Sequence, residues 1–467
     1  MSENFDGCLE AYDWRYSAAI LGLQRYLEYH KLPSNWEDIR TAETDSVEND
    51  VFRYHKSDIT EERYLQFAEY FYGEDFPHVK ALQKLKEEDY TDEKIKEINE
   101  QLTYNVVMKK FFAKEKFDGT NRERIEAVLK DNWMEIVRET FRNKTNMYRN
   151  YCNTNQLFHE RQEVCRLNGY YVDWAKKGKS ASYAFDTGLF AGNDIPEFDF
   201  IPFAFTEHMD GIFINYSSSI HDLVNANNAL RRAMQEKEQE TKEEGKSFSI
   251  RQVLLEKMIH TADFLNYDVE LIKKQRDKEY FETIYLREKS IGIFKSLKSS
   301  KAFLFSYKVT DAYYINVLER VMNAIINLTV LDETIEFFLK EGEKDKPFTA
   351  IVMNLIKVNH MIYQRIYGGE KMNRKAIQEC AGKIAKKLEE NKLATYRTKL
   401  TSAVVFKDYN RVCEILLQLS NFANVSIECM LDVLQNCEER INGVYLFIAC
   451  LRKQSKSADE NKGGVQE

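Results

Sequence analysis

Proline and glycine are scarce in this chain, with five and eighteen among 467 residues. So little turn chemistry excludes a fold of many short strands and favours long helices. No apolar run approaches the ~18 residues that a membrane span requires. The opening MSENFDGCLE is acidic where a secretory leader would be basic and then apolar, so the expectation is a cytoplasmic protein with no membrane partner. Eight cysteines without a dense, regular framework exclude a disulfide scaffold. Cys413, Cys429, Cys437 and Cys450 fall among helical apolar residues, where a thiol packs as a small hydrophobe. Catalytic signatures are missing too: there is no G-x-x-x-x-G-K-[ST], no G-x-G-x-x-G after a strand, no G-x-S-x-G and no H-E-x-x-H. An enzyme is not expected, and neither is a cofactor.

What is present is an ordinary globular composition, 43% hydrophobic and 30% charged, with 27 Tyr and 29 Phe. A chain of this length suggests roughly two to four domains. DWRYSAAILGLQRYLEY, residues 13–29, places Tyr16, Ile20, Leu23 and Leu27 at helical spacing. Val51 to Tyr54 is strand-like, and Thr60 can cap the helix that follows. Helices are expected at 91–112 and 121–141. Residues 150–220 differ in kind, with five glycines, two prolines and the runs FDFIPFAF and GIFINYS, whose content suits strands. QEKEQETKEEGK, residues 235–246, has no apolar side chain and predicts a long loop or an exposed helix end. From Phe248 onward the periodicity is almost wholly helical, with segments at 250–290, 311–341, 348–367, 373–392, 396–419, 426–436 and 438–453. The fold class is therefore α+β. A mixed N-terminal domain spans 1–234, with a small sheet and glycine-rich loops. A polar linker (235–247), a helical middle region (248–370), a C-terminal helical bundle (371–454) and a disordered tail (455–467) follow.

Charge is unevenly distributed. The formal net charge is -8, and between Glu37 and Glu100 nineteen acidic residues face nine basic ones. Lys371 to Arg411 holds eleven Lys/Arg against four Asp/Glu. A locally basic surface on an acidic chain is what phosphate binding requires, although a single charge run is commonly just a solvated face. In the 373–392 helix, Ile377, Cys380, Ala381, Ile384 and Leu388 form one stripe, leaving Lys375, Lys383, Lys386 and Lys387 on the opposite face. Arg397 and Lys399 extend that charge. Two further basic stretches run from Arg142 to Ala181, with Lys176, Lys177 and Lys179 around Gly178, and from Arg287 to Lys308, with Lys295, Lys298 and Lys301. Aromatics near such patches offer stacking faces for bases.

Two metal arrangements present themselves. Cys152, His159 and Cys165 are of zinc-ligand type, but each cysteine stands alone where structural sites pair them as C-x-x-C, so ordinary packed thiols are the competing explanation. His221 and Asp222, with His260 and Asp263, are the residue types of a metal-dependent phosphohydrolase, and equally of surface polar residues.

DWRYSAAILGLQRYL, VFRYHKSDITEERYLQFAEYFYG and IPFAFTEHMDGIFINYSSSIHDLVNANNAL together resemble the large subunit of type I CRISPR effector complexes (Cascade), in the Tneap-like branch of subtypes I-A and I-B. The resemblance covers the N-terminal half in motif order and the C-terminal third in helical character. It implies a non-catalytic subunit that helps hold the 5′ handle of a guide RNA, inspects the protospacer-adjacent motif on double-stranded target DNA and supports R-loop formation. Its implied partners are Cascade backbone and small subunits and a recruited helicase-nuclease. Motif inspection would fall on the glycine-rich loops, with Lys176, Lys177 and Lys179 approaching DNA and Asn215, Asn225, Asn227 or Asn228 as candidate amides for base edges, each of them equally a candidate helix cap. Many members of that branch carry paired C-x-x-C knuckles in the central region, where this chain has only Cys152 and Cys165. GGEKM, residues 368–372, can be encoded by a purine-rich ribosome-binding sequence before Met372. In related systems a small subunit arises by internal initiation, so Met372 to Glu467 is expected to be made separately as well. A helical scaffold without nucleic-acid binding is the principal alternative.

Overall fold

The computed structural model describes residues 5–37, 50–87, 89–112, 115–142, 147–154, 156–158, 165–170, 194–206, 211–244, 265, 267–275, 278, 280–297, 300–342, 348–368 and 372–453. The chain is α+β, and it forms two compact units: Met1–Glu240 with Asp268–Leu286, and Thr241–Tyr267 with Arg287–Glu467.

The first unit is organised around α1 (Trp14–His30). Asp13 caps it, accepting from the Arg15 and Tyr16 amides at 2.7 and 3.4 Å. Residues on every side of this helix are buried, Ala18, Ile20, Leu21 and Leu23 among them, as expected of a helix enclosed by its own domain. Strands β1 (Gly7–Glu10), β2 (Ser34–Glu37) and β3 (Val51–Tyr54) form an antiparallel sheet in the order β1-β3-β2, with Leu9 and Trp36 both opposite Phe52. Helix α2 (Glu61–Tyr72) follows, with the Thr60 hydroxyl accepting from the Arg63 amide at 3.3 Å. Helices α3 (Pro77–Leu85), α4 (Asp92–Asn99), α5 (Lys109–Phe112), α6 (Arg122–Asp131) and α7 (Trp133–Arg142) complete this stretch. The single helix expected over 91–112 is broken by a π turn at Glu100–Tyr104.

FDFIPFAF does not form a strand. All but its last residue, Phe205, lies in a 3-10 segment, Pro196–Ala204, packed against α1. Pro202 cannot donate to a ladder, and the local carbonyls are taken by side chains instead. The Tyr64 hydroxyl donates to Asp199 O at 2.6 Å, Tyr72 to Pro202 O at 2.9 Å and the Arg25 guanidinium to Phe203 O at 2.6 Å. Much of the aromatic content is spent here, because Tyr64, Phe67, Phe71, Phe141 and Phe200 surround Phe203 in edge, tilted and stacked contacts.

GIFINYS does supply a strand, β4 (Ile212–Asn215), and α8 (Ile220–Glu244) follows it. This helix continues well into the segment expected as a polar linker. The sheet partners of β4 come from residues expected to be helical: β5 (Val269–Lys274) and β6 (Phe281–Leu286), in the order β4-β5-β6. Ile272 and Phe281 join the first unit's core, which is why this pair returns to it.

Among its described residues the second unit is helical apart from the hairpin β7 (Ser306–Lys308) and β8 (Tyr314–Asn316). Its helices are α9 (Glu288–Lys295), α10 (Val317–Asn327), α11 (Asp332–Glu341), α12 (Thr349–Tyr367), α13 (Arg374–Lys387), α14 (Glu390–Val405), α15 (Tyr409–Ala423), α16 (Leu431–Gln435) and α17 (Ile441–Cys450). Helix α17 is buried from Ile441 through Ala449 and packs against α11, α12, α13, α14 and α16. No helix among the described residues is long and apolar enough to cross a membrane.

A candidate nucleic-acid interface

Helix α13 begins at a capped end, with the Asn373 side chain accepting from the Ala376 amide at 3.1 Å. It buries Ile377, Cys380, Ala381, Ile384 and Ala385 against the unit, and so exposes Lys375, Lys383, Lys386 and Lys387. Lys387 reaches back to the Asn424 carbonyl at 2.9 Å. Lys399 on α14 is exposed and sits 5.7 Å from the Tyr396 ring centre, while Lys392 lies 4.6 Å over Phe422, a side chain 56% exposed. Ammonium groups beside open aromatic faces offer one surface for phosphate and base alike. Lys392 and Phe422 are not legible as a pair in the sequence, because they meet only when α14 and α15 pack.

Arg397 does not belong to this face. It is buried, pairs with Glu390 at 2.9 Å and donates to the Leu451 carbonyl at 2.8 Å, tying α14 to the end of α17. A guanidinium can satisfy carbonyl and carboxylate together, which suits it to this internal position.

Further exposed basic and aromatic side chains lie along the chain from α9 to the β7-β8 hairpin. Lys295 ends α9, Lys301 lies in the 3-10 turn Ser300–Phe303, and both are exposed. Tyr313 and Tyr314 are 47% and 54% exposed, and Arg320 donates to the Tyr313 hydroxyl at 3.0 Å. Lys308 is held by Asp311 at 2.6 Å. The tyrosines follow the basic run in sequence, where periodicity assigns them to a helix; the hairpin turns them outward instead.

A sequence model of the family described as CRISPR-associated protein Csx8 matches residues 5–451. The chain belongs to that family. No curated protein and no solved structure matches it.

In this Csx8 family member the four candidate asparagines are mostly structural. Asn215 is buried and donates to Glu270 at 2.9 Å. Asn227 is buried and bridges β4 and α8: its Oδ1 accepts from Ile214 N at 2.9 Å and its Nδ2 donates to Ile214 O at 2.8 Å. Asn228 accepts from Arg25 at 3.3 Å. Of the four, Asn225 alone is exposed, with its amide nitrogen 3.0 Å from His221 Nε2. Lys176, Lys177, Lys179 and Lys298 lie outside the described residues.

Arg166 and Asp194 flank the stretch that holds the first three of those lysines. Their side chains form a buried ion pair at 3.3 Å, and Arg166 also reaches Asp199 at 3.0 Å. Burial pushes the Asp194 carboxyl up to about 6. Cys152 and Cys165 are buried nearby, and burial raises both thiols, which favours the protonated form over the thiolate that zinc needs. His159 lies outside the described residues. His221 and Asp222 form an exposed pair at 3.4 Å, and His260 and Asp263 also lie outside the described residues. Among the described residues no three His, Cys, Asp or Glu side chains are grouped to hold a metal.

Proposed function

We propose that this Csx8 protein is the large subunit of a type I CRISPR effector complex, in the manner of the I-A and I-B Cascade branch. It binds the guide-RNA handle and double-stranded target DNA, inspects the protospacer-adjacent motif and stabilises the R-loop. It has no catalysis of its own, and cutting falls to a recruited helicase-nuclease. Guide pairing then supplies sequence discrimination, while the protein contributes backbone and shape contacts. The observation that carries this reading is the outward lysine face of α13, with Lys375, Lys383, Lys386 and Lys387 exposed on a chain of net charge -8. Membership of a CRISPR-associated family and the exposed lysines and tyrosines between α9 and β8 support it.

The C-terminal module would line the path of the opened strands, and synthesis from Met372 would supply further copies of it. Such copies would uncover the face of α17 that packs on α12, so a neighbouring subunit has to cover it.

The test is affinity purification from cells that carry a matching CRISPR array. Copurification of a guide RNA and a multi-copy backbone protein, with salt-sensitive binding of duplex DNA, is the expected result. A preparation free of RNA that does not bind DNA would leave a scaffold protein and overturn the proposal.

A further inference from the structure

Arg25, on α1, is only 7% exposed. Its guanidinium donates to Phe203 O and Ala204 O at 2.6 and 3.2 Å and to Asn228 Oδ1 at 3.3 Å, all of them neutral acceptors. Arg231, on α8, is its neighbour: both guanidiniums lie over the Phe71 ring, 5.9 and 4.2 Å from its centre. Among the described residues no carboxylate pairs with either of them. Glu28, on the same helix as Arg25, is exposed and takes a hydrogen bond from Gln24 at 3.1 Å instead. Buried charges are normally paired, and two like charges side by side away from water oppose one another. Burial, followed by the Arg231 charge, pushes the Arg25 guanidinium down to about 9, and burial lowers Arg231 as well. The Phe71 face attracts both cations, but a ring has no net charge and leaves the positive excess in place.

This excess reaches the surface through α8. Arg231 is only partly buried; among the described residues its N–H groups have no hydrogen-bond partner, and none of its nitrogens is shut off from solvent. Asn228 precedes it by one helical turn. Accepting from Arg25 fixes the Asn228 amide, and its Nδ2, also open to solvent, is a further donor. Tyr70 and Tyr29 are 62% and 39% exposed and stack with ring centres 4.3 Å apart, and Tyr70 is close enough to act on the Arg231 charge. A forked set of N–H donors, an amide N–H and an uncompensated pair of positive charges require an oxyanion with several acceptor oxygens. A phosphate group answers that better than a carboxylate, because it can give two oxygens to the guanidinium and still offer others to the amide. The stacked tyrosines give any attached base an open face.

We propose that Arg231 and Asn228 hold a phosphate group of a nucleic-acid strand, with the buried Arg25 supplying a fixed positive charge behind them. The site belongs to the first unit and is built without the α13 lysines. That the phosphate comes from a strand rests on the nucleic-acid reading above; the anion site itself does not.

The test has two arms, both on the full chain. In the first, inorganic phosphate replaces chloride at constant ionic strength while the thermal transition is followed. The transition of the unmodified chain should rise with phosphate, because an anion bound only by the folded state stabilises it. Arg231→Gln should weaken phosphate binding roughly tenfold or more, as expected when a charged donor is lost, and so remove most of that rise. Arg231→Lys keeps the charge without the fork and should respond between the two. No rise in the unmodified chain, or an equal rise in all three, overturns the site. In the second arm, thymine-only DNA and uracil-only RNA single strands are titrated by fluorescence anisotropy across a salt series. Arg231→Gln should reduce the salt slope by ~0.7 for the phosphate it no longer neutralises. An unchanged slope beside an intact phosphate response overturns the strand and leaves free phosphate or a mononucleotide as the ligand. Strands that do not bind at all overturn the nucleic-acid reading but leave the anion site standing.

Discussion

Asn359 donates its side-chain amide to Oδ1 of Asn442 at 2.8 Å, joining α12 to α17 inside the second unit. The same Asn359 accepts from the Leu331 amide at 2.6 Å and donates to Asp332 at 2.7 Å, so one buried side chain serves three helices. Asn359→Leu would orphan the Leu331 N–H and the Asn442 oxygen together. Stability should fall by about 3 kcal/mol, since each buried unsatisfied group costs roughly 1–3 kcal/mol. Urea denaturation of the full chain checks this, and an unchanged midpoint would contradict it.

The same bond crosses the boundary at Met372. The Met372–Glu467 product also loses Glu336, which accepts from the Tyr445 hydroxyl at 2.7 Å. Expressed alone, it should unfold at lower denaturant than a product starting at Arg287, or associate through the uncovered face of α17. Analytical ultracentrifugation with circular dichroism distinguishes these outcomes from a stable monomer, which is not expected.

Gly22 sits where α1 meets the 3-10 segment so closely that a Cβ would fall 1.9 Å from the Phe200 carbonyl oxygen. Backbone cannot rotate away as a side chain can. Gly22→Ala should therefore cost about 3 kcal/mol, at the upper end of overpacking penalties, although alanine is the better helix former. A thermal transition at or above that of the unmodified chain would show that the segment moves freely.

His360 accepts from the Met372 amide at 3.2 Å, which requires an unprotonated ring nitrogen. Burial, followed by the charges of Arg374 and Arg440, lowers its pKa from the ordinary 6.5. The folded value is depressed, so this contribution is complete above ~6.5 and lost as pH falls through the folded value. Burial shifts Asp332 and Glu336 upward, and their contributions have the opposite sense, lost as pH rises. The difference between the unmodified chain and His360→Gln isolates the histidine. That difference should be constant from pH 7 to 8 and shrink below about pH 6.

Neutralising Lys375, Lys383, Lys386 and Lys387 together should reduce the salt dependence of DNA binding by ~0.9 for each phosphate that the protein ceases to neutralise, without altering the thermal transition. Arg397→Ala should do the reverse, lowering stability while leaving the salt slope as it was, because its guanidinium is committed to Glu390 and Leu451. Filter binding across a salt series, paired with melting curves, separates the two. A salt slope that does not respond to the four lysines would remove α13 from the interface.

Residue pattern alone determined which faces of local elements are apolar. Periodicity placed α1, α12 and the start of α13 close to their observed ends, although α13 stops at Lys387 and the rest of the range expected for it runs into α14; the Thr60 cap was legible, and the stripe from Ile377 to Ile384 turned the neighbouring lysines to solvent. These follow from spacing along one helix, which needs no knowledge of neighbours. Tertiary structure decided everything that depends on a partner distant in sequence. VELIKK and FETIYL became strands because β4 offered a buried edge, and FDFIPFAF became a 3-10 segment because α1 and α2 supplied donors for its carbonyls. Arg397 and Lys399 lie two residues apart on one helix, and packing against Leu451 buries the first while the second stays in water. Charge is written in the sequence, but whether it meets solvent is settled by what packs against it.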